Sequence, residues 1–213
     1  MLIVHHLGKS QSERIVWLCE ELGLPYRLQR HERDPVTSLS PPSLKAVHPL
    51  GAAPVIEDDG LVLAESGAII DYLIARHGQG RLALGPADPA FADYLYWYHF
   101  ANSNLQPAMG RNMLLGKLDL PADHPMVIGQ RGRLERALGQ VEQRLGRVPH
   151  LAGEAFTAAD IMIGFTLTTM RLFHPLDLAP YPNIRAYLGR IGQREAYRRA
   201  MQAGDPDLAP MLD

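Results

Sequence analysis

A mixed α/β unit of order βαβαββα followed by an all-helical half is the fold class that this sequence predicts. Three observations carry it. Up to His77, short apolar runs of strand length alternate with segments of helical spacing. Glycine and proline then cluster at Gly78-Gln79-Gly80, Gly85-Pro86 and Asp88-Pro89, which is the composition of a linker. Beyond Pro89 the apolar residues repeat at helical spacing. The expected boundaries are therefore 1–80 for the α/β unit and 87–213 for the helical one.

Leu2-Ile3-Val4 forms a short apolar strand, and a loop runs from His5 to Gln11. A helix is expected from near Ser12 to Leu22, because Ile15, Leu18, Cys19 and Leu22 fall at i, i+3, i+4 and i+7. Gly23 stands at the C′ position that stops such a helix. Tyr26-Arg27-Leu28-Gln29-Arg30 alternates apolar and polar side chains and predicts a second strand, parallel to the first through a right-handed crossover. Residues 31–47 are polar and carry Pro35, Pro41 and Pro42, with a short helix over Ser43–Val47.

The stretch from His48 to His77 then combines several elements. A loop, Gly51 to Pro54, runs into the strand Val55-Ile56. Asp58-Asp59-Gly60 predicts a tight turn, since Asp-Gly supplies the positive φ angles of a hairpin. Leu61-Val62-Leu63 returns as a strand, and Glu65-Ser66-Gly67 opens a helix with Ile69, Ile70, Leu73 and Ile74 on one face. A loop, a hairpin and a helix N-terminus together can hold a small anionic ligand by backbone groups. This stretch is the candidate binding site.

In the second half, Phe91 to Leu115 reads as one long aromatic-rich helix, kinked at Pro107 because proline removes a helix hydrogen bond. Leu118 to Pro125 is a loop. Leu134, Leu138, Val141 and Leu145 mark the next helix with a regular apolar stripe. Thr157 and Asp160 have the spacing of a capping box, with Phe156 and Ile161 placed as a hydrophobic staple. The helix that follows, Ile161 to Leu172, is apolar nearly all round and should lie at the centre of its domain. Two shorter helices are expected near Ile184–Ile191 and Glu195–Met201, before a Pro-rich tail.

Composition narrows the function classes. Of 213 residues, 46% are apolar and 21% charged, as in a soluble globular protein. A net charge of −2 supplies no drive toward nucleic acid or an anionic membrane, and the arginines of 131–147 and 185–199 are interleaved with Glu and apolar residues as on solvated helix faces. The single cysteine, Cys19, excludes an internal disulfide and fits a reducing compartment. It lies on an apolar stripe and reads as a core residue. Met1 to His6 lacks the basic start and apolar run of a signal peptide, and no apolar run reaches the ~18 residues of a membrane span. The expected location is cytoplasmic.

Four motifs, in order, now point to a family. Residues 5–26, His-His-Leu-Gly-Lys-Ser-Gln-Ser-Glu-Arg-Ile-Val-Trp-Leu-Cys-Glu-Glu-Leu-Gly-Leu-Pro-Tyr, look like the first loop and helix of the bacterial and fungal branches of the cytosolic glutathione transferases. His48-Pro-Leu-Gly-Ala-Ala-Pro-Val-Ile resembles that family's loop ending in a cis-proline. Glu65-Ser66 before an apolar helix resembles its γ-glutamyl-binding turn, and Thr157-x-x-Asp160 its capping box in the second domain. The resemblance covers essentially the whole chain.

It implies a thioredoxin-like domain that binds glutathione as co-substrate, with no metal. It also implies a helical domain with the pocket for an electrophile, and a homodimer. The chemical task is to hold a thiolate. A free thiol has a pKa near ~8.5, and a hydroxyl donor beside a helix N-terminus lowers it. Two hydroxyls compete for that role. Ser10 matches the catalytic serine of serine-type members, whereas Ser12 has the placement of a helix N-cap; backbone amides alone are the third possibility. His6 and Lys9 share the loop, His6 as a structural residue and Lys9 as a solvated one.

Ala53, Pro54 and Val55 are implied to bind glutathione, with a cis bond at Pro54 turning the backbone so that Val55 offers its N–H and C=O to the cysteinyl part. Glu65 and Ser66 are implied to hold the γ-glutamyl end, although Ser66 on its own reads as an N-cap. One departure stands out: most relatives carry Lys, Arg or Gln where this chain has Ala52, so the glycyl carboxylate lacks its usual partner. Lys45, His48 or Lys9 are the replacements at hand. On the long helix, His99, Asn102, Gln106 and Arg111 are assigned to the electrophile pocket or to the second subunit's glutathione. The function expected is thiolate attack on small hydrophobic electrophiles. The alternatives are a glutathione-dependent peroxidase or disulfide reductase, and a non-catalytic binding or regulatory relative.

Overall fold

The computed structural model describes residues 1–213. The chain forms two compact units. The first comprises Met1–Ala83 together with Gly192–Pro210, the second Leu84–Ile191 with Met211–Asp213.

In the first unit the elements are β1 (Ile3–Leu7), α1 (Glu13–Leu22), β2 (Arg27–His31), α2 (Pro42–Val47), β3 (Val55–Asp58), β4 (Leu61–Ala64) and α3 (Ser66–Arg76). They give the four-stranded mixed sheet that the sequence predicts, in the order β2-β1-β3-β4. β1 and β2 are parallel, while β1–β3 and β3–β4 are antiparallel. The β3–β4 hairpin turns through Asp59 and Gly60 at φ +46 and +91, the paired positive angles of a two-residue reversal. Val4, Ile15, Leu18, Cys19, Ile56, Ile69, Ile70 and Leu73 are fully buried and form the core between sheet and helices.

The division of the chain differs from the expected 1–80 and 87–213. Residues 192–210 return to the first unit. The reason is the last helix of the chain, α9 (Glu195–Gly204). Its apolar face, Ala196, Tyr197, Ala200 and Met201, is buried, and the Tyr197 ring meets Trp17 of α1 edge-on at 4.9 Å. Arg194 grips Glu21 with two nitrogens at 2.6 and 2.7 Å, and Arg199 pairs with Glu20 at 2.8 Å.

The second unit contains α4 (Phe91–Phe100), a π-helical turn over Ala101–Leu105, α5 (Gln106–Leu115), α6 (Pro125–Leu145), α7 (Ala158–Leu167), a 3₁₀ turn over Thr169–Leu172, and most of α8 (Pro182–Gln193). Two expectations need correcting. The long helix runs continuously from Phe91 to Leu115, but the expected kink at Pro107 takes the form of a π turn over Ala101–Leu105, where the Gln106 N–H bonds back to the Ala101 carbonyl. Proline lacks the next donor, so widening the turn ahead of it accommodates the missing bond. The apolar helix also ends early. At Thr168 (φ −116, ψ −100) the backbone leaves the helical region before the 3₁₀ turn. The stripe Leu134, Leu138, Val141 and Leu145 is buried, as is every residue of α7.

Candidate active site

Strand register brings the motifs of the first unit to one end of the sheet. His5 pairs with Val55, and Val55 pairs with Ala64. The loop after β1, the start of β3 and the start of α3 are therefore neighbours, and each carries predicted site residues.

The loop from Gly8 to Ser12 is tied down from within. Ser12 is fully buried. Its hydroxyl oxygen receives the Leu7 N–H at 3.1 Å and lies 3.0 Å from His6 Nδ1, 2.7 Å from Ser10 Oγ and 3.3 Å from the Leu7 carbonyl. It occupies the N-cap position of α1, yet its side chain makes no capping bond and its backbone is already helical (φ −67, ψ −16). The expectation that Ser12 caps the helix is thus corrected: position without function, because the hydroxyl is consumed by the loop. Ser10 is 7% exposed and accepts the Ser12 N–H at 3.2 Å. It is the outer of the two hydroxyls.

Behind Ser12 lies His6, fully buried, with Nε2 3.2 Å from the Asp205 carboxylate. Asp205 follows α9 and also receives the Lys9 N–H at 3.0 and 3.1 Å. The hydrogen bonds from His6 and Lys9, with Arg30 nearby, outweigh burial and hold the Asp205 carboxyl below its ordinary range. From the sequence His6 reads as structural, and nothing there points to Asp205. The two are about two hundred residues apart, and no local pattern connects a strand end with the tail of the last helix.

At the start of β3 the Ala53–Pro54 peptide is cis, and Ala53 and Val55 are buried against Leu7 and Leu44. Gln11 joins this segment to the first loop: its amide donates to the Ala53 carbonyl at 3.3 Å while its own carbonyl accepts from Arg14 at 3.3 Å. At the start of α3, Glu65 is held at φ +75, a conformation that a non-glycine residue keeps only when its surroundings enforce it and that clusters at binding sites. Glu65, not Ser66, takes the N-cap position, and it supplies no side-chain cap. Ser66 is the first helical residue and is buried, which corrects its reading as an N-cap.

Lys45 lies along the loop that contains Ala52. Gly51 has φ +58, and a Cβ added there would sit 2.6 Å from Lys45 Cγ, so the lysine stem passes directly over this glycine. His48 accepts the Leu50 N–H at 3.4 Å, and Ala52 is exposed. The buried Cys19 thiol is pushed up in pKa by desolvation and has the inert character of a core residue.

In the second unit, His99, Asn102 and Arg111 are exposed and Gln106 is half-buried. Arg111 donates to Gln130 at 2.9 Å and, with Asn104, Arg133 and Arg136, lines a basic hollow of about 210 Å³. A larger, mainly apolar cavity of about 520 Å³ lies among Leu118, Leu134, Leu138, Leu176 and Tyr181. His99, Asn102, Gln106 and Arg111 do not line it. Of the four predicted residues, Arg111 alone lines one of these two cavities.

A mixed four-stranded sheet with a cis-proline at the head of one strand, joined to a bundle of helices, defines a class: proteins of the glutathione-transferase fold. The comparisons agree. Residues 5–81 match the family model described as glutathione S-transferase, N-terminal domain, and residues 129–190 that described as glutathione S-transferase, C-terminal domain. Glutathione S-transferase 3 of Schizosaccharomyces pombe is 30% identical over 95% of this chain and 87% of its own length. Glutathione S-transferase GstB of Escherichia coli is 29% identical over 91% of this chain and 95% of its own. Among solved structures, a glutathione S-transferase from Actinobacillus pleuropneumoniae superposes with a TM-score of 0.87 at 33% identity, covering 98% of this chain and 97% of that one. A theta-class glutathione S-transferase from Xanthomonas axonopodis pv. citri, solved with glutathione bound, gives 0.72 at 25% identity, covering 93% and 96%. The chain belongs to the glutathione S-transferase family, and its general activity is that of a glutathione transferase.

Proposed function

We propose that this chain binds glutathione along the end of its first unit and ionises the thiol for attack on small hydrophobic electrophiles. The observation that carries this reading is the convergence of three segments on one sheet end: the Ser10 loop, Ala53-Pro54-Val55, and Glu65-Ser66. Ser10 is the thiol-facing donor in this account, because the Ser12 hydroxyl is enclosed by Leu7, His6 and Ser10 itself. The backbone of Val55, next to the cis-proline, pairs with the cysteinyl segment. Ser66 and the α3 N-terminus hold the γ-glutamyl carboxylate, where the helix favours an anion, and Glu65 faces the amine.

Lys45 takes over the glycyl carboxylate from the residue replaced by Ala52. Its stem over Gly51 supports that role, ahead of His48 and Lys9. The reaction then forms one sulfur–carbon bond and expels a leaving group from the electrophile, or adds the thiolate across an activated double bond. His99, Asn102 and Gln106, on the exposed side of the α4–α5 region, contribute to the electrophile pocket or to a second subunit in a homodimer. Arg111 is the weaker member of that set, since Gln130 already holds it.

A calorimetric titration with glutathione tests the reading. Saturable binding is expected, weakened by Ser66→Ala and Lys45→Ala. No heat at millimolar glutathione would sink it and leave a non-catalytic relative.

A further inference from the structure

We propose that Ser12, His6 and Asp205 form a relay behind Ser10 that takes up the proton of the glutathione thiol. This inference rests on the reading that Ser10 faces that thiol.

The hydrogen-bond arithmetic leads to it. The Asp205 carboxylate can only accept, so His6 Nε2 at 3.2 Å carries a proton toward it. In a neutral imidazole Nδ1 is then an acceptor, and the Ser12 hydroxyl 3.0 Å away donates to it. The lone pairs of Ser12 receive the Leu7 N–H and the Ser10 hydroxyl proton, across 3.1 and 2.7 Å. In this state every donor in the chain points inward, from Ser10 to Ser12 to His6 to Asp205. The Ser10 proton faces away from any ligand. If Ser10 turns its proton to a thiolate and keeps its 2.7 Å bond to Ser12, the Ser12 hydroxyl must donate back to it, and a proton on Nδ1 then restores the bond that Ser12 withdraws from His6.

The thiol supplies that proton. The S–H donates to Ser10 Oγ, the Ser10 proton passes to Ser12, and the Ser12 proton passes to His6 Nδ1. One S–H bond is broken and one N–H bond formed, with two hydroxyls exchanging protons between them. The product is a thiolate accepting from Ser10, and an imidazolium paired with Asp205. The logic is that of a nucleophile, a base and an orienting carboxylate. Here the nucleophile belongs to the substrate, so Ser12, His6 and Asp205 are positioning residues acting through Ser10.

The surroundings are built for a close contact. A Cβ at Gly204 would lie 3.2 Å from His6 Cε1 and Nε2, and one at Gly8 would lie 3.2 Å from Asp205 Oδ1. Glycine at both positions lets the tail of α9 and the first loop close on the pair. The charged and titratable groups around it are Lys9 in the first loop, Asp205 and Asp207 after α9, Arg30 and His31 on β2, and Glu32 and Arg33 beyond β2. Desolvation, with the neighbouring His5 and His6, lowers the pKa of His31.

The test uses the full-length protein with glutathione and reads two quantities. One is the pH dependence of bound-thiolate absorbance. The other is proton release on binding, from calorimetry in buffers of different ionisation heat. Wild type should release fewer protons than thiolates formed, because His6 retains them. His6→Asn keeps an acceptor for Ser12 but no base, so release should rise to match thiolate formation. Asp205→Asn should bind glutathione within about twofold of wild type but lose about tenfold in thiolate at neutral pH, a shift of about one pKa unit. If His6→Asn fails to fold, Asp205→Asn and Ser12→Ala decide the matter. Unchanged titration and proton release in these variants, while Ser10→Ala does shift the titration, would overturn the relay alone. An unchanged Ser10→Ala titration would overturn the reading of Ser10 and the relay with it.

Discussion

The proposed glycyl end of the glutathione site turns on two residues, and both can be changed one at a time. Ala52 offers no charge to the glycyl carboxylate, and Lys45 lies along the same loop with its stem against Gly51. Lys45→Ala should weaken glutathione by about tenfold, the worth of one charge-assisted contact. Ala52→Arg should tighten binding in the wild-type background and rescue Lys45→Ala, because the loop position is exposed. Affinity from titration calorimetry checks both. An Ala52→Arg variant that binds no better would mean that the glycyl end is already fully held.

Asp58 shows the residue scale at work on stability. Its carboxylate is 6% exposed and accepts from His77 at 2.6 Å and from the Tyr72 hydroxyl at 2.9 Å. The His77 bond, with help from Tyr72, holds the Asp58 carboxyl below its ordinary value despite burial. A depressed folded-state pKa stabilises the protein above the unfolded value, near ~3.9, and that contribution is lost as pH falls through the folded value. Stability should therefore drop below about pH 4. Asp58→Asn should lose about 1–2 kcal/mol at neutral pH and show a flatter acid limb in urea melts at stepped pH.

At the scale of elements, the clearest case is the start of α7. The Asp160 side chain accepts the Thr157 N–H at 2.9 Å, as the capping box requires, and Thr157 and Asp160 complete that box. It also accepts the Leu151 N–H at 3.0 Å and the Tyr187 hydroxyl at 3.1 Å. The spacing Thr157-x-x-Asp160 makes the box visible in the sequence, but the partners from the preceding loop and from α8 are long-range and are not. A cap alone is worth ~1 kcal/mol. Stranding three buried donors should cost more, so Asp160→Ala is expected to lose about 3 kcal/mol or more, whereas Thr157→Ala should lose about 1. Denaturant midpoints at neutral pH separate the two values.

Other elements divide along the same line. The β3–β4 hairpin is legible because Asp59-Gly60 permits the positive angles it needs. α1 is legible because its apolar stripe ends at Gly23, which adopts φ +64. The π turn at Ala101–Leu105 is not, since Pro107 announces a perturbation but not whether the helix kinks or widens. The binding motifs were legible as words in the chain. The pair behind them, His6 and Asp205, was not, because only the packing of α9 brings Asp205 to the first loop.

For the molecule as a whole, that packing has a direct consequence. The first unit is completed by residues from the far end of the chain: Tyr197 against Trp17, Arg194 on Glu21, and Asp205 on His6 and Lys9. A fragment of residues 1–83 exposes the surface of α1 that α9 covers and should fold poorly. Joining 192–210 to it through a flexible linker should restore cooperative melting by circular dichroism and the buried environment of Trp17 by fluorescence. Equal stability of the two fragments would mean that α9 is an accessory to the unit.

The central claim is that glutathione is held as a thiolate by Ser10. The most direct measurement is the pH dependence of thiolate absorbance in the glutathione complex of wild type and of Ser10→Ala. The wild-type midpoint should lie about 1–2 units below the ~8.5 of a free thiol and move back toward that value in Ser10→Ala while glutathione still binds. A midpoint that Ser10→Ala leaves in place would contradict it.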